Sequence, residues 1–184
     1  MTVVRRTRKG GFTLVEILIV VIILGILAAI VIPQFTSASQ DARKNSLSSQ
    51  LQTLRSQIEL YKLQHLDQLP ANLYNGGATG TVAAGTATTT AWYQMLNKTN
   101  AAGTVGTTSD FPFGPYLQSE PSNPLNGGKG VVVISADVHG GDAVTATTNE
   151  GFLLNYTNGK IWGTSKAAGY VFDESNPSNP NNDL

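Results

Sequence analysis

Residues 8–33 read RKGGFTLVEILIVVIILGILAAIVIP, and this stretch decides how the chain is organised. From residue 12 to residue 32 the side chains are apolar apart from Thr13, Gly25 and Glu16, and Glu16 carries the only charge. A helix over these residues is about 32 Å long, which matches the hydrocarbon thickness of a bilayer. The stretch therefore predicts a transmembrane helix that contains one unexplained carboxylate.

The residues before this span are basic. Residues 1–11 contain no acid and four bases, namely Arg5, Arg6, Arg8 and Lys9, although the whole chain has no net charge. Basic residues before a first span place the N-terminus in the cytoplasm and send the remainder across the membrane. That remainder is mildly acidic, which argues against nucleic-acid binding. The chain has no cysteine, so neither a disulfide nor a thiolate metal site can form.

Simpler interpretations of this N-terminus leave Glu16 unexplained. A secretory signal peptide, with residues 36–38 as a loose cleavage site, has an apolar region of only about 7–15 residues. A twin-arginine signal at residues 5–6 does not fit so hydrophobic a span. A plain single-span anchor has the right length, but an acid at mid-bilayer costs up to about 3 kcal/mol. An ionisable group inside a membrane usually has a partner.

The sequence RKGGFTLVE, followed by the apolar run, resembles the N-terminus of type IV pilins and of the pseudopilins of type II secretion. In that family a prepilin peptidase removes a short basic leader that ends in glycine and methylates the new terminal residue. The resemblance implies cleavage between Gly11 and Phe12 and N-methylation of Phe12. Gly25 and Pro33 lie where many members have a helix-loosening glycine and a proline. The close match covers residues 8–35.

The same resemblance implies a partner for Glu16. In the family's mode of assembly, the glutamate of one subunit meets the terminal amine of its neighbour, which here is the amine of processed Phe12. A carboxylate and an amine in a low-dielectric filament core each remove the other's desolvation cost. A subunit inserted at the wrong height would leave both charges unpaired, so this pair would set the register of assembly.

Beyond Pro33 the pattern changes from apolar to amphipathic. Apolar residues recur at steps of three and four on one helical face, which we call the stem stripe: Leu47, Leu51, Leu54, Ile58 and Tyr61. The pattern predicts a helix that continues to about Leu66, bends near Pro33 and packs its stripe against a head domain. A coiled coil is the alternative. Arg55 and Glu59 are expected to pair, and His65 to be an ordinary surface side chain.

The first part of the head is predicted to contain one short helix between irregular segments. Residues 91–98, AWYQMLNK, suit a short helix whose buried side holds Trp92, Met95 and Leu96. The glycine- and threonine-rich residues 76–90 suit a loop. Residues 114–128 contain three prolines and predict an extended loop similar to the proline-bearing loop of the major pseudopilins.

The second part of the head is predicted to form strands. Residues 129–135 are β-branched, and residues 151–165 read as a hairpin that turns at Asn158-Gly159. A further short strand is expected at residues 169–172, and the tail from Ser175 is expected to be loose. Antiparallel strands packed on the stem stripe make the fold class α+β, pilin-like, with one long N-terminal helix.

One acidic cluster lies in the head. Asp137, His139 and Asp142 have no second histidine nearby and no nucleophile motif, so we expect a polar surface loop rather than a catalytic site. No cofactor is required, but the resemblance adds calcium, because many major pseudopilins bind it in a loop near the C-terminus. Carboxylate oxygens suit calcium, and the candidate ligands, which show no clean ligand spacing, are Asp137, Asp142, Asp173 and Asp183.

We therefore expect a cleaved leader (1–11), a transmembrane and assembly helix (12–33), an amphipathic stem (34–67) and a periplasmic head (68–184). The favoured function is a structural, non-enzymatic subunit of a type II secretion pseudopilus that drives protein export. The absence of cysteine favours it over a type IV pilus subunit for adhesion, motility or DNA uptake, since many such pilins contain a disulfide. A membrane-tethered binding protein or enzyme is a remote alternative.

The resemblance also implies the partners and the location of the protein. The partners would be identical subunits, the prepilin peptidase, minor pseudopilins, and an inner-membrane assembly platform with its cytoplasmic ATPase. The subunit would first cross the inner membrane once, with its head in the periplasm. It would then join a periplasmic filament, or an extracellular one if the filament is a pilus.

Overall fold

A computed structural model describes residues 11–70, 91–146, 149–166 and 169–183. The chain divides into two compact units, Met1–Gln40 and Asp41–Leu184. Its elements are helix α1 (Leu14–Gln64), helix α2 (Tyr93–Leu96), strands β1 (Gly130–Ile134), β2 (Glu150–Asn155) and β3 (Ile161–Gly163), and a 3₁₀ turn (Pro180–Asn182). The α+β class predicted from the sequence is confirmed, with one long N-terminal helix and a small sheet.

The part of α1 in the first unit exposes its apolar side chains on all sides. Exposure ranges from about half for Val31 to 82% for Leu14. By length and composition, α1 is able to cross a membrane once. The helix continues without interruption through position 33, and the predicted bend there stays a prediction.

The part of α1 in the second unit buries one face, as the stem stripe predicts. All five stripe residues are at most 2% exposed and belong to one core cluster with the head. The helix and the sheet approach closely at Gly163, where an added Cβ would lie 2.9 Å from a methyl carbon of Leu47. The glycine thus leaves the space that the Leu47 side chain fills.

The three-stranded sheet is mixed, with β2 in the centre. Strands β2 and β3 are antiparallel and turn through Gly159, whose φ is +78°, so the predicted hairpin is confirmed. Strands β1 and β2 are parallel, and the prediction of a wholly antiparallel sheet was wrong for this pair. Parallel pairing needs a connection of about a dozen residues or more, and residues 135–149 provide it.

Strand β2 is buried on both faces. Phe152 and Leu154 lie in the core cluster that contains the stem stripe, whereas Leu153 belongs to a second cluster with Val132 and Val171. Successive side chains of a strand point to opposite faces, so the two clusters cover the two sides of the sheet. In place of the strand predicted at residues 169–172, isolated bridges join Tyr170 to Ala143 and Val171 to Thr164.

Helix α2 anchors the segment before the sheet. Trp92 and Met95 are fully buried and Leu96 is half-buried, as predicted. The Trp92 indole N–H donates to the carbonyl of Lys129 at 2.8 Å, and its ring packs edge-on against Phe152. Residues 114–128 contain no helix or strand, as predicted, and the predicted loop at residues 76–90 lies outside the described residues.

His65 is buried, at 1% exposure, so the prediction of a surface side chain was wrong. Its ring stacks on Tyr61 with centroids 3.7 Å apart. Nδ1 lies 2.8 Å from the carbonyl oxygen of Tyr61, which can only accept, so Nδ1 carries the proton. Nε2 lies 2.9 Å from the hydroxyl of Thr99. Both ring nitrogens are therefore satisfied inside the head, which is what a buried polar side chain requires.

The C-terminal tail is fastened to the stem, so the prediction of a loose tail was wrong. Arg55 forms a bidentate pair with Glu174 rather than the predicted pair with Glu59, and Glu59 contacts Lys62 instead. Lys44, only 5% exposed, donates to the carbonyl of Pro177 at 2.9 Å.

The fully buried Asn182 holds the tail in shape. Its Oδ1 accepts the amide N–H of Asp173 at 2.7 Å, and its Nδ2 donates to the carbonyls of Asp173 and Asn176 at 3.3 and 3.2 Å. Hydrophobic periodicity in the sequence does not predict hydrogen bonds of this kind between a side chain and the backbone.

Replacing Asn182 with alanine is expected to destabilise the head. The buried amide of Asp173 would lose its acceptor, which costs about 1–3 kcal/mol, or about 3–10 °C in the melting midpoint. Asn149→Ala, at an exposed asparagine, is the matched control and should melt like the unmodified chain. The measurement is the thermal transition of tryptophan fluorescence, and equal midpoints for the two variants would contradict this role of Asn182.

Candidate processing and assembly site

The predicted cleavage point lies just before α1. Gly11 is exposed, Phe12 is 85% exposed, and the helix begins at Leu14. A Cβ added at Gly11 would meet nothing within 4 Å. Packing among the described residues therefore gives no reason for glycine at position 11, and a requirement for glycine there would come from a protein that acts on the chain.

Glu16 closes a capping box at the start of α1. The amide N–H and the hydroxyl of Thr13 both donate to Oε2 of Glu16 at 2.8 Å. The Glu16 amide in turn donates to the Thr13 hydroxyl at 3.3 Å. Thr13 is thus the N-cap and Glu16 the third helical residue, which is the arrangement of a capping box. The negative charge also lies at the positive end of the helix dipole.

Thr13 is a site residue that the sequence analysis did not single out. Its signal is nonetheless legible, because T-x-x-E directly before an apolar run is the sequence signature of a capping box. The family resemblance implies only an intermolecular role for Glu16, and the structure adds an intramolecular one.

The capped carboxylate keeps room for a further donor. Both Thr13 bonds reach Oε2, and Oε1 has no hydrogen-bond donor among the described residues. A carboxylate oxygen accepts up to two hydrogen bonds. Glu16 can therefore cap its own helix and at the same time accept an ammonium group from outside.

The proposed calcium ligands are not brought together. Within the described ranges, no group of three or more Asp, Glu or His side chains could hold a metal ion. Asp142 accepts the amide of His139 at 2.7 Å, and Asp183 lies 2.9 Å from the ammonium group of Lys44. Each of these two carboxylates thus has an N–H donor of the chain at one of its oxygens.

Asp137 accepts hydrogen bonds from three side chains. Nδ2 of Asn155 and of Asn158 each lie 2.7 Å from its Oδ1, and the ammonium group of Lys160 pairs with its Oδ2. The bonds from Lys160 and then Asn158 lower the pKa of Asp137 to about 2. The stabilisation linked to this shift is present above about pH 4 and is lost as the pH falls towards 2.

Asp173 has a similar environment. Ser175 donates to its Oδ1 through both N–H and hydroxyl, at 3.1 and 2.6 Å, and the amide of Asn176 adds a third bond at 3.0 Å. The bond from the Ser175 hydroxyl and then that from Asn179 lower the pKa of Asp173 below its usual range. At Asp137 and Asp173, N–H and O–H donors therefore occupy both carboxylate oxygens, and these two residues do not fit a calcium ion.

The N-terminal region, which contains this site, is similar to known proteins. Residues 6–32 match the prokaryotic N-terminal methylation motif. The type II secretion system core protein G of Pseudomonas aeruginosa is 39% identical over 61 residues, and that of Dickeya chrysanthemi is 41% identical over 58. The competence protein ComGC of Halalkalibacterium halodurans is 35% identical over 65 residues. The resemblance seen in the sequence is thus confirmed for the N-terminal region.

These matches cover about a third of this chain. They span 43% and 38% of the two core protein G chains and 63% of the competence protein. No solved structure matches the chain. These relatives bear the names of secretion or competence proteins. They are similar to this chain in its N-terminal region.

Proposed function

We propose that the chain is the major, non-enzymatic subunit of a type II secretion pseudopilus. The observation that carries the proposal is the methylation motif, together with the likeness of the N-terminal region to core protein G. The head contributes a folded domain whose described residues include no group of three or more His, Asp or Glu side chains that could hold a metal ion. The head forms the outer part of the filament.

Processing creates the second charge of the assembly contact. A prepilin peptidase cuts after Gly11, so the nitrogen of Phe12 changes from an amide into an amine, which is then methylated. Glu16 of a neighbouring subunit accepts this ammonium group at Oε1, while Oε2 remains with Thr13. In the low-dielectric core of a filament each charge removes the other's desolvation penalty. Assembly thus depends on a group that exists only after cleavage.

The exposed first part of α1 occupies two environments in turn, first the membrane and then the filament. Its apolar side chains are about half exposed or more, so hydrocarbon surrounds them in the membrane and neighbouring helices surround them in the filament. The N-terminus faces the cytoplasm and the head the periplasm, in accordance with the basic residues that precede the span. An assembly platform with a cytoplasmic ATPase extracts the subunit, and minor pseudopilins accompany it in the filament.

A type IV pilus-like filament for DNA uptake is the second candidate. The likeness to a competence protein favours it, and that protein is covered over a larger share of its length than the two secretion proteins. The absence of cysteine favours the pseudopilus. A membrane-tethered binding protein or enzyme stays a remote alternative.

Deletion of the gene in its native host tests the proposal. We expect proteins that are normally exported to accumulate inside the cell envelope, with export restored by a plasmid copy. DNA uptake is measured in the same strains. Normal export combined with lost DNA uptake would replace the pseudopilus with the competence filament, and no defect in either would contradict a filament role.

A further inference from the structure

We infer that the C-terminal loops of the head use the chain's own ammonium groups and amide donors where calcium would otherwise bind, so that the head folds without calcium. This inference concerns the head alone and does not rest on the proposed filament. Asp137 lies in the loop after β1, and its carboxylate contacts three residues at the β2–β3 turn.

The backbone of the turn fixes the orientation of both asparagine amides at Asp137. The amide N–H of Thr157 donates to Oδ1 of Asn155 at 2.9 Å, and that of Lys160 donates to Oδ1 of Asn158 at 3.0 Å. A backbone N–H can only donate, so the atom that it meets on each side chain must be the oxygen. Both NH₂ groups therefore point at Asp137 and cannot be turned to offer oxygen.

This fixed orientation excludes a cation beside the Oδ1 atom of Asp137. A calcium ion is bound by six to eight oxygen atoms and by no N–H donor. At Asp137 it would face two N–H groups that carry positive partial charge. The positive charge that the carboxylate requires comes instead from the ammonium group of Lys160.

Asp173 repeats the arrangement without a lysine. Nδ2 of Asn179 donates to its Oδ2 at 3.0 Å, and the amide N–H of Asn181 donates to Oδ1 of Asn179 at 3.0 Å. For the same reason, the NH₂ group of Asn179 must point towards the carboxylate of Asp173. Three further donors, from Ser175 and Asn176, occupy the other oxygen of Asp173.

A second lysine holds the end of the chain. The side chain of Lys44 is 6% exposed and lies 2.9 Å from Oδ1 of Asp183. It also donates to the carbonyl of Pro177 at 2.9 Å. An ammonium group that is this well buried needs a negative partner, and Asp183 supplies one. Two lysines and three asparagines thus contact Asp137, Asp173 and Asp183, which are three of the four candidate carboxylates.

The test compares melting of the full-length chain in detergent micelles with EDTA and with calcium chloride. The probe is tryptophan fluorescence, since Trp92 is fully buried. We expect the same midpoint in both solutions and no calcium binding in a calorimetric titration. A midpoint that falls with EDTA, or a stoichiometric calcium-binding signal, would overturn the inference.

Lys160→Met supplies the second arm of the test. We expect its midpoint to fall by about 1–4 °C, because a partly exposed charge pair is lost, and calcium chloride should not restore it. The control is Lys98→Met, at an exposed lysine that forms no ion pair with a described residue. Its midpoint should not change. Restoration of Lys160→Met by calcium, or equal midpoints for the two variants, would contradict the inference.

Discussion

Replacing Glu16 with glutamine is expected to leave cleavage intact and to reduce filament yield by about a hundredfold or more. Glutamine is accepted at the third residue of a capping box, so the start of α1 keeps its cap. What disappears is the negative charge, and loss of one partner from a buried ion pair costs roughly 3–5 kcal/mol. The measurement is the amount of processed subunit in sheared filaments relative to the membrane fraction.

Thr13→Val is the matched variant for this experiment. It removes the hydroxyl from the capping box and keeps the charge of Glu16. We expect Thr13→Val to retain more assembly than Glu16→Gln. If Glu16→Gln assembles normally while Thr13→Val does not, Glu16 serves only to cap its own helix, and the intermolecular pair is wrong.

Replacing Gly11 with leucine is expected to stop processing altogether. Nothing described lies within 4 Å of a Cβ at this position, so the fold should tolerate the side chain. The peptidase, in contrast, would have to accept a bulky residue beside the bond that it cuts. Mass spectrometry of the membrane fraction should find a chain that retains residues 1–11 and no methylated Phe12.

Gly25→Leu is the control for Gly11→Leu, because a Cβ at Gly25 also meets nothing within 4 Å. We expect this variant to be processed as usual. An N-terminus at Phe12 in Gly11→Leu would contradict the assigned cleavage point. Loss of processing in both variants would mean that the substitutions act on membrane insertion rather than on recognition of the leader.

Short-range sequence patterns predicted the parts of the fold that depend on neighbours along the chain. The stem stripe is set by a repeat of three and four residues, and the hairpin by the turn at Asn158-Gly159. The Thr13–Glu16 capping box is equally local and has a short signature. These features could all be read from the sequence, because every residue that determines them lies within a few positions of the others.

The features that the sequence did not predict depend on contacts between distant residues. His65 is buried because its ring meets Thr99, and Arg55 leaves Glu59 because Glu174 offers a bidentate partner. The parallel pairing of β1 with β2 depends on the path of a long connection. The same holds for Asp137, whose donors come from the β2–β3 turn, and for Asp183, which pairs with Lys44 of the stem.

The fastening of the tail to α1 has a practical consequence for following this protein in cells. A reporter joined after Leu184 would begin two residues after Asp183, whose carboxylate pairs with the buried ammonium group of Lys44. The linker would disturb the ion pair between Lys44 and Asp183. An internal tag between Ala101 and Ala102, both exposed in a turn, would instead leave the sheet and the tail untouched.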